Sequence, residues 1–126
     1  MKITAGKKRN SIRNYFHNTD WRRASPKQIY FYVKMFDDAE LSHACVHYYL
    51  RFRREFDARH IINKDALDCS RILDMLTHEV ILRRAKRSHL DKNQLKKKYS
   101  TLEAELYTFL RSEEKLRSYG GTSLGH

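Results

Sequence analysis

The sequence predicts an all-α protein, an up-and-down bundle of about four helices carrying a basic N-terminal extension. Three observations predict it. A single Pro and four Gly, three of these in the last seven residues, leave few breakers for a turn-rich β fold. Apolar residues recur at spacings of three and four along most of the chain. Helix-start signals precede these periodic stretches, with only short connections between them, and short connections favour antiparallel neighbours.

The first start is Ser25-Pro26-Lys27-Gln28, which joins a capping-box pattern to Pro at the first helical position and predicts a helix from 26 to about 36. Asp37 and Asp38 can cap a second helix, whose stripe reads Leu41, Cys45, Tyr48, Phe52 and Phe56 and which should end near Arg59. Asn63 is a natural cap for a third, with Ala66, Cys69, Leu73, Leu76 and Val80 inward, Ile72 and Ile81 widening the stripe, and an end near Ser88. Asp91 with Gln94 offers another capping box. After it Leu95, Tyr99, Leu102, Leu106, Phe109 and Leu116 mark a fourth helix, expected to end before Gly120-Gly121. The break at 88 to 91 contains neither Gly nor Pro. Its alternative is one continuous helix from about 64 to 117, on the order of 80 Å long, which would need a partner chain and hence a homodimer. The expected organisation is a basic arm over 1–25, a bundle over 26–119 and a flexible tail over 120–126.

At 126 residues the chain suits one domain with one core. Its N-terminus lacks the apolar stretch of a signal peptide and no segment is apolar enough to span a membrane, so a cytoplasmic protein with no membrane partner is expected. Cys45 and Cys69 fall on inward stripes and are expected to be reduced, structural thiols.

The location of the net charge of +11 is informative. Residues 1–27 hold eight cations (Lys2, Lys7, Lys8, Arg9, Arg13, Arg22, Arg23 and Lys27) against Asp20 alone. Residues 83–98 hold eight more (Arg83, Arg84, Lys86, Arg87, Lys92, Lys96, Lys97 and Lys98) against Asp91 alone, so the remainder of the chain is net −3. In the bundle the second run lies at one hairpin tip. Arg83 to Arg87 favour the C-terminal dipole of the third helix, whereas Lys92 to Lys98 lie near a helix N-terminus that disfavours cations. An external polyanion would relieve their mutual repulsion. Tyr15, Phe16 and Trp21 interleave with Arg13, Arg22 and Arg23, a mixture that can stack on bases, although rings of this kind also dock an extension onto a core. Tyr30, Phe31, Tyr32, Tyr48 and Tyr49 are read as core and boundary residues.

These features predict a nucleic-acid-binding accessory or regulatory protein, DNA or RNA, with the tip and Lys7, Lys8, Arg9, Arg13, Arg22 and Arg23 of the arm on the phosphates. The alternative is an adaptor or inhibitor, of the kind phages and mobile elements encode, that sets its basic surface on an acidic protein. From Arg83 onward the basic stretch and the seven-residue spacing of Leu95, Leu102, Phe109 and Leu116 superficially resemble a basic leucine zipper. The repeat begins inside the basic run, and Asn93 is followed by Thr101 and Leu102 where that family carries Arg, so the chain is not assigned to it. Glu40-x-x-His43, with His47 one turn on, has the spacing of a di-iron ligand pair, but the remaining ligands are missing and neither metal nor cofactor is expected. No glycine loop cradles a phosphate, and neither Ser70 nor either cysteine sits on a strained elbow, so catalysis is not expected.

Overall fold

A computed structural model describes residues 23–59 and 64–124, the side chains of 57–59 and 118–124 excepted. It forms an all-α bundle of four helices: α1 (Pro26–Met35), α2 (Asp38–Arg59), α3 (Lys64–Arg87) and α4 (Lys92–Leu124). Three starts are built as their sequences require. At α1 the Gln28 amide donates to Ser25 Oγ (3.2 Å) and the Ser25 amide to Gln28 Oε1 (3.0 Å), with Pro26 at the first position. Asp37 and Glu40 exchange the same pair of bonds at α2 (2.8 and 2.7 Å), and Asp91 and Gln94 at α4 (2.9 and 2.8 Å). Each reciprocal pair satisfies two amides that a bare helix end would leave open. Asn63 lies outside the described residues.

α3 is the central element, packing on each of the other three helices and most extensively on α2. Ala66, Cys69, Ile72, Leu76 and Ile81 form its most deeply buried row, and Val80 is only half-buried. Against it lie Ile29 and Val33 of α1, Leu41, Cys45 and Tyr48 of α2, and Leu106 and Leu110 of α4. Burial of the Cys45 thiol pushes its pKa up to about 12, as suits a structural side chain, and Cys69 is equally buried. Tyr49 meets Tyr107 edge-on with ring centroids 6.1 Å apart, and Arg53 meets Glu114, whereas His78 of α3 meets Tyr99. Thus α2 and α4 run parallel to each other and antiparallel to α3. Phe52 and Phe56 are half-buried and stacked on each other, at the edge of the core.

The expected break at 88–91 is present, so the alternative of a single helix over 64–117 does not form. The chain departs from expectation in two places. The fourth helix does not stop before Gly120-Gly121. It continues to Leu124, since glycine raises the cost of a helical turn without sterically forbidding it. Among the aromatic residues, Tyr48 and Tyr49 are buried as expected, but Tyr30 and Phe31 are 54% and 58% exposed. The short α1 docks through Ile29 and Val33, with Tyr32 and Met35 packed partly against the core, while Tyr30 and Phe31 fall on its outer face.

Candidate nucleic-acid interface

The tip begins with a helix end written without glycine. The Leu90 amide donates to Ala85 O (3.0 Å) and the His89 amide to Lys86 O (3.1 Å), the two bonds of a Schellman motif, with His89 in the left-handed region at φ 56°. Asp91 then caps α4 directly, so the reversal takes Ser88 to Asp91 alone. This tight turn brings the end of α3 and the first turns of α4 to one pole of the bundle, and all eight cations of 83–98 with them.

They divide into two groups. Arg83, 21% exposed, is held inside the molecule: Nε donates to Glu79 Oε2 (2.9 Å), Nη1 to Asp38 Oδ1 (3.0 Å) and Nη2 to Val33 O (3.2 Å). One guanidinium therefore ties α3 to the start of α2 and to the end of α1, where Val33 O also accepts from the Phe36 amide. Arg87 also binds Asp38, through the other carboxylate oxygen. Lys34 completes the network on Glu79 at 2.7 Å and lies over the Tyr30 ring. Hydrogen bonding from Arg83, reinforced by Arg87, holds the Asp38 carboxyl below the usual carboxylate range. Burial works against the charge of Glu79, but hydrogen bonds from Lys34 and Arg83 outweigh it and its carboxyl is also held low. The Glu79 bond raises the Lys34 ammonium, and the Glu79 and Asp38 bonds raise the Arg83 guanidinium against its own desolvation.

The other six, Arg84, Lys86, Lys92, Lys96, Lys97 and Lys98, form no ion pair with a described carboxylate. All are exposed except Arg84, which is half-buried and lines a groove with Arg83, Arg87, Asp38 and Ser42. Asp91 faces them at the turn, where it is engaged in the α4 cap, and Asp38, paired with Arg83 and Arg87, shares the groove of Arg84. Around α4, Lys96 and Lys98 flank the row that faces the core while Lys97 points away from it, so the lysines fan over the whole accessible arc. Arg23 is exposed just ahead of α1. Lys7, Lys8, Arg9, Arg13 and Arg22, with Tyr15, Phe16 and Trp21, lie outside the described residues.

No known family, characterised protein or solved structure matches the chain. Its chemistry is therefore read from its own side chains. Glu40 is a capping residue, buried and bonded to the Asp37 amide, while His43 and His47 are exposed. Among the described residues no group of three or more His, Cys, Asp or Glu is placed to hold a metal ion, and no helix is long and apolar enough to cross a membrane.

Sequence reading missed a further cationic cluster. His43, His47, Arg51 and Arg54 of α2 and Arg117 of α4 line one groove. The signal was present in Arg51-Phe52-Arg53-Arg54, but it was submerged in a remainder whose summed charge is −3. The internal role of Arg83 was also legible in part, because Glu79 precedes it by four residues, the favourable order for a helical ion pair.

Proposed function

We propose that the chain binds nucleic acid through its phosphate backbone, with the α3–α4 tip as the principal contact, and acts as an accessory or regulatory factor with no catalysis of its own. One observation carries the reading: six cations converge at the tip and no described carboxylate pairs with them. Folding gains little from that arrangement. Lys92 and Lys96 sit in the first turns of α4, where the helix dipole disfavours positive charge. Salt screens the repulsion among these like charges only in part over distances shorter than the Debye length, about 8 Å at physiological ionic strength. A phosphate polymer supplies the missing negative charge and releases its counterions on contact. Arg84 suits a forked phosphate contact, while the lysines suit point contacts that tolerate any sequence.

The test is fluorescence anisotropy with mixed-sequence DNA and RNA, single- and double-stranded, at about 50 and about 200 mM salt. Wild type should bind at the lower salt and weaken steeply at the higher. The Lys96→Gln/Lys97→Gln/Lys98→Gln variant should lose up to about 2.7 from the slope of log affinity against log salt, if each lysine neutralises one phosphate. Absence of binding at the lower salt, or an unchanged slope in the variant, would remove the reading. Recovery from cell extract of one stoichiometric acidic protein that survives nuclease treatment would transfer the surface to that partner.

A further inference from the structure

We infer that the seam between α2 and α4 is a second phosphate contact, which carries the same nucleic-acid backbone from the tip towards the other end of the bundle. The inference rests on the nucleic-acid reading above and adds a track and a length to it. Two grooves share α2 and α4 in their linings. The one at the tip lies mainly between α2 and α3, with Asp38, Ser42 and Arg84 on its walls, and reaches α4 at Leu106. Beyond it lies the groove of His43, His47, Arg51, Arg54 and Arg117, whose lining contains no carboxylate.

Arg51, Arg54 and Arg117 form no ion pair with a described carboxylate, whereas Arg53 beside them is matched by Glu114 across the seam at 3.4 Å. The fold therefore neutralises the arginine that joins α2 to α4, while the three around the groove have no ion-pair partner among the described residues. Three guanidiniums from two helices are the donor set that a phosphodiester accepts in forked geometry, and their mutual repulsion falls when it does so. Val46 and Leu50 form the apolar floor that keeps these donors at the rim.

The separation predicts a site size. Lys96 and Arg117 lie within a quarter turn of each other around α4 and are twenty-one residues apart, about 31 Å at 1.5 Å per residue. That distance corresponds to about nine base pairs of duplex. A duplex of about six base pairs reaches one contact, and one of about sixteen reaches both.

The experiment compares those two duplex lengths across a salt series, using full-length wild type, the lysine variant above, Arg51→Gln/Arg54→Gln/Arg117→Gln, and the corresponding triple Lys variant. The Gln variant should bind the short duplex as wild type does, and on the long duplex its salt slope should fall by about two to three. The Lys variant, keeping charge but not the fork, should retain most of the slope. An unchanged slope for the Gln variant on the long duplex, with tip-dependent binding intact, overturns the seam and spares the tip. A wild type that binds neither duplex nor single strands overturns both. Equal falls in urea midpoint for the Gln and Lys variants would assign the three arginines to folding and also overturn the seam.

Discussion

Replacing Arg83 by Met should destabilise the fold by about 2.5–5.5 kcal/mol while leaving nucleic-acid binding nearly intact. The magnitude follows from what each bond leaves behind. Glu79 has an 8% exposed side chain and retains only Lys34 once Arg83 is gone. Breaking a buried pair costs about 3–5 kcal/mol when the remaining charge is uncompensated, and Lys34 reduces that to about 2–3. Asp38 is 58% exposed and keeps Arg87, so its share is under about 1 kcal/mol. Loss of the bond to Val33 O adds about 0.5–1.5 kcal/mol. Urea denaturation followed by circular dichroism reads the total, a sizeable part of the 5–15 kcal/mol typical of a domain. The pH dependence has a definite sign. Asp38 and Glu79 are held below their ordinary values, so the contribution is complete above the unfolded carboxylate pKa of about 4 and disappears as pH falls through the lower folded values. The gap between wild type and variant should stay constant from about pH 8 to about pH 5 and close in stronger acid. A cost below about 0.5 kcal/mol, or a loss of binding as large as that of the lysine variant, would refute the internal role.

His89→Gly should raise the melting temperature by a few degrees. A left-handed residue with a Cβ carries a cost of about 1–2 kcal/mol, and glycine's greater freedom in the unfolded chain offsets about 0.4–1 of the relief. A lower melting temperature would show that the His89 side chain contributes something beyond its backbone conformation. Neutralising Lys92, Lys96, Lys97 and Lys98 to Gln should leave stability unchanged or raise it by about 0.5–1 kcal/mol, because these charges oppose the α4 dipole and one another. A clear loss of stability in urea would mean that the lysines serve the fold.

The helix starts were legible because a capping box is a local device: Ser25 with Gln28 and Asp91 with Gln94 are each complete within four residues. Three ends were legible too, expected near 36, Arg59 and Ser88 and found at Met35, Arg59 and Arg87. How α3 stops was not: its terminus rests on His89 in a conformation usually given to glycine. Gly120-Gly121 did announce an end, but two glycines only weaken a helix and α4 passes through them. At the tip the residue types could be read, but not their division. Arg83 and Arg84 are neighbours in sequence and line the same groove, yet one bonds Asp38 and Val33, 45 and 50 residues earlier, while the other forms no ion pair with a described carboxylate. Summed charge misled in the same way. The −3 remainder mixes carboxylates fixed inside the molecule, such as Glu40 and Glu79, with arginines that face outward, such as Arg54.

The division of labour among the cations follows from where helix dipoles and carboxylates lie. At the end of α3 the dipole favours positive charge, and Asp38 and Glu79 are at hand, so Arg83 and Arg87 stabilise the bundle whatever else they do. Beyond the four-residue turn the dipole has reversed, and Lys92 and Lys96 have neither its help nor an ion pair with a described carboxylate. Repulsion among Lys96, Lys97 and Lys98 adds to that. A surface kept at a cost to stability, beside one that supports it, marks the α4 side of the tip as the part whose composition the fold does not explain. The same criterion separates Arg53, matched by Glu114, from Arg51 and Arg54 on the same helix. Applied to both places it selects a set of cations that runs from the tip along the α2–α4 seam, and an extended phosphate chain is the form of ligand that meets all of them at once.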